Sequence, residues 1–445
     1  MYHATQTLLR MTTVTLCLMV LVAAGPARAV TLLRDADIEY SLRQLGAPVL
    51  RAAGLSPNQI RILVIDDSTL NAFIVDTQHI FIHSGLLTKL ETAAQVQAVI
   101  AHEAAHISNG HISRRLGNMR TARTAAGLGM VLAAAAAAAG NGQAAVGLGI
   151  GVQSSAMRNF LAHTRAEEAS ADISSIRYLV RAGVDPQGAI EVQDLFRGQE
   201  VFAETRQDPY MRSHPLSRDR LRALKGLVAG ATAKTSPDPG ANYWFARAKG
   251  KLTAFTRAPG WTLRRADGSG TADIAQMRKA VAYHRQSDLG RALQNIDAAI
   301  SSRPNDPFLQ ELKGQILLES RRASDAVKVY SAAARLAPRE PLILGGLGRA
   351  QLAAGNPNDA LRTLEAARGR DFSDTRILRD LAVAYAKTGQ TAMASLVTAE
   401  RYAVQGRFKD AAIHAKRAEG ALARGSGPWQ RAQDVLSAAQ RAGQR

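Results

Sequence analysis

A period of 34 residues runs through the C-terminal part of the chain and limits its architecture more than any other feature. Ala292, Ala326, Ala360 and Ala394 keep that step, as do Ala280, Gly314, Gly348 and Ala382, and again Ala299, Ala333 and Ala367. Pro304 and Pro338 close two of the units. Small side chains at fixed offsets let the two helices of a unit pack closely, and each unit buries its apolar face only by stacking on the next. The spacing predicts an α-solenoid over residues 273–445, with the stretch from Gly406 leaving the period and capping the array.

Upstream, His102-Glu103-Ala104-Ala105-His106 forms an HExxH motif in an apolar-periodic stretch. Residues four apart share one helix face, so both imidazoles can grip a single Zn²⁺. Glu103 is then placed to take the proton of the attacking water. So short a motif also arises by chance, and the rest of the site has to decide. Zinc hydrolysis needs a third protein ligand and an open position. His111 would suggest a metzincin, HExxHxxGxxH, but the glycine here is Gly110 and Ile112 stands where the last histidine belongs, so that reading fails. Glu168 and Asp172, four apart in Ala166-Glu167-Glu168-Ala169-Ser170-Ala171-Asp172, are the better candidates. Glu168 can reach the metal while Asp172 accepts the outer N–H of a ligand histidine, His102. Glu167 has Ala171 at the same offset and lacks that partner. A lone pair of carboxylates would read as a solvated helix face; beside HExxH it does not.

β-Branched spacing predicts a strand over residues 60–66 and two more over 71–75 and 79–83, joined by a polar turn. Ser84-Gly85 breaks the last of them before the helix that carries HExxH. An edge strand beside a metal-bearing helix suits proteolysis, because it can hold an extended peptide by main-chain hydrogen bonds. HExxH followed by ExxAD (Glu168 to Asp172) resembles the gluzincin peptidases of the HtpX and CAAX-endoprotease type, as do Asn71-Ala72-Phe73 and Ser84-Gly85-Leu86-Leu87. The 34-residue repeat is the tetratricopeptide (TPR) pattern. With a signal peptide in front, it narrows the resemblance to the periplasmic BepA-like proteases. The fold expected is α+β and mostly helical: a zincin-type domain with a small sheet, then the solenoid. The resemblance puts the zinc ligands on His102, His106 and Glu168 and the general base on Glu103. Two departures are Glu167, where many members carry Asn, and the turn Asp76-Thr77-Gln78, where relatives carry a Pro-Gly-Gly-like sequence. The segment Ser213-His214-Pro215-Leu216, with Arg220 six residues after the histidine, also resembles that family. His214 could latch the open zinc position, polarise the scissile carbonyl or be a plain surface residue. Arg220 could stabilise the oxyanion or pair with a carboxylate. His79, His83 and His163 have no motif context and read as structural.

Residues 1–29 read as a cleaved signal peptide: Arg10, an apolar run from Met11 to Ala24, then Ala27-Arg28-Ala29. Cys17, the single cysteine, lies inside it, so the exported chain would carry neither disulfide nor thiolate ligand. Export to the periplasm removes nucleic acid as a partner. The net charge of +19 then reads as affinity for an anionic membrane surface or acidic clients, or as arginine-rich solvated faces. The metallopeptidase domain is expected over 30–228. Within it, residues 124–157 carry no charge and resemble a helical hairpin that either touches lipid, flaps over the cleft or packs on its own domain. Thr235-Ser236-Pro237-Asp238-Pro239-Gly240 marks a linker over 229–272. The function expected is an exported zinc endopeptidase acting on unfolded or misassembled outer-membrane β-barrel proteins. Its partner would be the barrel-assembly machinery, met through the TPR array. The rival is a TPR chaperone or adaptor with a latched or structural metal site. An intramembrane protease is disfavoured, since only the signal segment is apolar enough to enter a bilayer.

Overall fold

The computed structural model describes residues 31–115, 164–199, 207–215, 217–231 and 238–443. The expectations for the signal peptide, the 124–157 hairpin and His163 lie outside them.

A four-stranded sheet, β1 (Leu32–Leu33), β2 (Arg61–Ile65), β3 (Ala72–Ile74) and β4 (His79–His83), has the order β1-β2-β4-β3. β2 and β4 are parallel, with Leu63 opposite Phe81, and β3 returns antiparallel to β4 with Phe73 opposite Phe81. β3 therefore forms one edge. The turn before β4 is closed by Asp76, whose Oδ1 accepts from the backbone N–H of Gln78 (2.7 Å) and His79 (2.8 Å). A short aspartate thus does locally what a glycine-rich turn would do. β1 escaped sequence reading because two residues are too few to show alternation.

Helix α1 (Ala36–Ala52) starts at Asp35, whose side chain accepts from the N–H groups of Asp37 and Ile38. α2 (Ser84–Lys89) leaves β4 at Gly85, where a Cβ would lie 2.1 Å from the carbonyl oxygen of Ser68, so only glycine fits. α3 (Ala93–Ser108) and α4 (Arg165–Arg181) each open with a reciprocal capping box, Thr92 with Gln95 and Thr164 with Glu167. α5 (Gln187–Asp194), α6 (Pro209–Ser213) and α7 (Arg218–Ala229) complete this part.

The expected linker is a correction. Residues 239–265 form α8 (Pro239–Thr256) and α9 (Pro259–Arg265), and α8 buries Arg247 and Lys251 against α1. Asp238 accepts from the N–H of Ala241, and Pro239 occupies the first turn. The Pro and Asp that read as breakers are the start signal of a helix.

Five helix pairs follow: α10 (Ala272–Arg285) with α11 (Leu289–Ser302), α12 (Pro307–Glu319) with α13 (Ala323–Leu336), α14 (Pro341–Ala353) with α15 (Pro357–Arg368), α16 (Thr375–Lys387) with α17 (Thr391–Val404), and α18 (Phe408–Ala421) with α19 (Gly427–Gly443). The small-residue columns sit at their crossings. Ala292, Ala326 and Ala360 are buried, and a Cβ on Gly348 would lie 2.4 Å from Leu364.

The array curves back onto α1. Arg34 binds Asp371 (2.8 Å) and Asp374 (3.1 Å), Arg247 bridges Asp37 and Asp306, and the Tyr40 ring packs on Phe308 at 4.8 Å. No helix of the described residues is long and apolar enough to cross a membrane.

Candidate metal centre

α3 presents His102, Glu103 and His106, and α4 presents Glu168 and Asp172; all five are buried. Nε2 of His106 lies 3.1 Å from Nε2 of His102, and Glu168 brings its oxygens within 3.4 Å of His102 and 3.3 Å of His106. His214, just past α6, joins them, with Nδ1 3.3 Å from His102 Nε2 and 3.0 Å from Glu168 Oε1. An ion at roughly 2.0–2.1 Å from four tetrahedral donors has donor–donor edges of about 3.3 Å. The observed separations, counted to either Glu168 oxygen, lie near those edges, and one donor atom from each residue falls within 4.8 Å of the others, so the donor set suits zinc in chemistry and comes close to it in size.

The outer contacts are equally defined. Nδ1 of His102 faces Asp172 Oδ1 at 3.2 Å. Arg220 donates to both oxygens of Asp172 (2.6 and 2.9 Å), pairs with Glu168 Oε2 at 2.6 Å and reaches the carbonyl of Pro215 at 3.2 Å. It therefore pairs with carboxylates and ties the His214 segment to them. His83 faces Thr69 Oγ1 at 3.0 Å and His79 faces Asp76, both away from the centre.

Glu167 accepts from the N–H of Thr164 and from Arg115, so it is the capping glutamate of α4 while its neighbour turns inward. Two features had no sequence signal strong enough to find them. The Tyr210 ring packs at a tilt against His214 (centroids 4.6 Å apart), and His111 contacts His106 (2.8 Å). The second follows from Asn109-Gly110: Gly110 has φ +71°, which ends α3 and turns His111 back over it.

Burial dominates the electrostatics. It raises the carboxyl of Glu103 above its ordinary range, and neither Glu103 oxygen receives a hydrogen bond. Burial alone would also raise Glu168, but the facing His214 and Arg220 hold it well below its usual value. Burial opposes charge on His102, yet its bonds to Asp172 and Glu168 prevail and push it up to about 10. Burial depresses His106 well below the usual histidine value. Two imidazolium rings this close repel, and Asp172 assigns the proton to His102.

That assignment has a measurable sign. A raised value means that the proton on His102 stabilises the metal-free fold fully below the ordinary 6.5, a contribution lost as pH rises through about 10. Zinc has to displace this proton. Apparent zinc affinity should therefore gain about tenfold per pH unit between about pH 7 and 9, with about one proton released per ion. Competition with a chromophoric chelator in buffers of different pH measures both. A flat profile would show that His102 does not hold the competing proton.

The family model described as Peptidase family M48 matches residues 37–228, a span that holds every residue of this centre. The chain carries an M48 metallopeptidase domain. M48 peptidases are zinc-dependent, and the buried cluster of His102, His106, Glu168 and His214 can hold such an ion. Tetratricopeptide repeat models match residues 277–341 and 317–379, so the M48 domain is followed by TPR repeats. The chain is similar to the β-barrel assembly-enhancing protease of Escherichia coli strain K12, 22% identical over 397 residues, covering 85% of this chain and 78% of that one. The protein of the same name from Yersinia pestis is 21% identical over 341 residues, covering 75% and 69%. Among solved structures, MamA aligns with 37% of this chain at 16% identity and a TM-score of 0.31. The M48 domain and these relatives make the chain a metalloendopeptidase.

Proposed function

We propose that this M48 chain is an exported, periplasmic zinc endopeptidase that clears unfolded or misassembled outer-membrane β-barrel proteins. The observation that carries the reading is the convergence of His102, His106, Glu168 and His214 on one buried point, with the carboxylate of Glu103 buried beside it, Oε1 3.4 Å from His214 Nε2. Zinc, held by His102, His106 and Glu168, would supply Lewis acidity and bring the pKa of a water to roughly 7. Glu103, its basicity raised by burial and Oε1 facing only the latch residue His214 at 3.4 Å, takes the proton of the attacking water and returns it to the leaving amine. Asp172 holds the His102 ring in register, and Arg220 fixes Asp172 and Glu168 together.

His214 serves as a latch. Its Nε2 lies 3.3 Å from the carbonyl oxygen of Ala72, which can only accept, so in the neutral ring Nδ1 turns its lone pair to the shared point. Tyr210, four residues earlier, donates its N–H to the carbonyl of Leu70 (3.2 Å) beside the β3 edge. The 207–215 segment thus occupies the fourth donor position and the peptide-binding edge together, and one displacement frees both.

The first helices of the middle repeats, α12, α14 and α16, line a cavity of about 440 Å³ facing the M48 domain, between Leu33 and Phe255 on one side and Leu318 and Arg349 on the other. This concave face is where a client or the barrel-assembly machinery would dock. The relatives' name and the repeats favour that partner, and the net charge of +19 favours an accompanying contact with an anionic membrane surface. Occupation of the fourth position by His214 favours the second reading, a TPR adaptor with a permanently latched metal.

The zinc-loaded chain and His214→Ala, incubated with an unfolded β-barrel precursor with and without chelator, separate the two. Cleavage at least tenfold faster by His214→Ala, abolished by chelator, is the expected result, as for the removal of any competing internal ligand. Zinc-loaded His214→Ala that cleaves nothing would leave the adaptor reading standing.

A further inference from the structure

On the zinc reading of His102, His106 and Glu168, we propose that His111 is a positioning residue of the metal centre: it accepts the Nδ1 proton of His106 and so leaves Nε2 of His106 bare for the metal. The direction of every proton in this chain of contacts follows from its far end. The carbonyl oxygen of Glu167 can only accept, and Ser170 Oγ lies 3.1 Å from it, so we assign the single hydroxyl proton of Ser170 to that carbonyl. Ser170 Oγ also lies 3.1 Å from Nε2 of His111, to which it can now offer only a lone pair. The proton of that contact therefore sits on Nε2 of His111. A neutral imidazole carries one N–H, so Nδ1 of His111 is bare. It lies 2.8 Å from Nδ1 of His106, which must donate. The remaining nitrogen of His106, Nε2, is the one that lies 3.1 Å from His102 Nε2 and 3.3 Å from Glu168.

The centre is thus braced on two sides by different chemistry. Arg220, Asp172 and His102 form one brace, ending in a carboxylate. Ser170, His111 and His106 form the other, ending in a neutral ring. Both join α3 to α4, the two helices that carry the ligands. His111 stands outside the donor set, because it faces the outer nitrogen of His106. Its place depends on Gly110, whose left-handed backbone folds the end of α3 over His106.

The partner of a ligand histidine's outer N–H fixes tautomer and ring orientation, and its loss costs about 10–100-fold in metal affinity. Zinc affinity of the full chain, read by competition with a chelating dye, is the test. His111→Phe keeps a ring but offers no acceptor and should bind zinc about 10–100-fold more weakly, measured at a temperature where the zinc-free chain is still folded. His111→Asn puts an amide oxygen where Nδ1 stood and should recover most of the loss. In the ¹⁵N-histidine spectrum of the parent, His106 should carry its proton on Nδ1. Parental affinity in His111→Phe, or equal weakness in the Phe and Asn variants, would overturn the proposal. Should His111→Phe fail to fold, Ser170→Ala carries the test: zinc binding should weaken in the same direction, and unchanged affinity would overturn it. A parent chain that holds no zinc would overturn the metal assignment itself, and this inference with it.

Discussion

Glu103→Gln should reduce peptide hydrolysis by about 10²–10⁴-fold while leaving zinc content and thermal stability at the parental level. Gln keeps the shape of Glu but cannot accept the proton of the attacking water. No neighbouring carboxylate stands in, since the others are engaged: Glu168 by His102, His106 and Arg220, Asp172 by His102 and Arg220. Burial disfavours the charge of Glu103, so a neutral side chain of the same size costs the fold nothing. Turnover of an unfolded substrate, measured in the His214→Ala background so that the latch does not mask the effect, checks this, with metal analysis alongside. Cleavage equal to the Glu103-containing chain would remove Glu103 from the base role.

Arg34→Met should destabilise the protein by about 3–5 kcal/mol, the cost of stripping a buried ion pair of one partner. The Arg34 side chain is 4% exposed, and it binds three carboxylates, Glu39, Asp371 and Asp374, which are 17%, 3% and 2% exposed. Met fills the space and leaves all three anions to Arg61, Arg376 and the cap of α16, which do not replace a buried guanidinium. Adding Asp371→Asn and Asp374→Asn should restore much of the loss, because the two most buried of the orphaned charges go with the arginine while Glu39 keeps Arg61. Thermal unfolding of the three chains measures it, and an unchanged melting temperature in Arg34→Met would show that the contact contributes nothing. Acid provides an independent check. Arg34 holds Asp371 below the ordinary 3.8 of an aspartate, so its contribution is fully present above that value and fades only as pH falls below it. The repeats should stay clasped to the M48 domain through neutral and mildly acidic pH.

What could be read from the chain without coordinates divides by distance along it. The four-residue step between His102 and His106, and between Glu168 and Asp172, is a local property of one helix turn, and the 34-residue columns repeat a local packing rule. The choice between Glu167 and Glu168 was also local, but its cause was not visible: Glu167 closes the capping box of α4, which leaves its neighbour pointing inward. Residues 239–265 resemble a linker in sequence because Pro and Asp at a helix start carry the same composition as one. Deciding between them needs the burial of Arg247 and Lys251 against residues some two hundred positions away. The partner of His111 was hidden by a glycine turn, and the partners of Arg34 by sequence separation alone.

That separation has a consequence for how the protein is made. Arg34 meets Asp374 across 340 positions of chain. A polypeptide threaded out amino end first has exposed β1 and α1 long before the aspartates that complete them exist. Contacts of such range form late, because the connecting chain must first be ordered. The newborn enzyme therefore passes through a stage in which β1 and α1 wait, half-dressed, for the turn between α15 and α16.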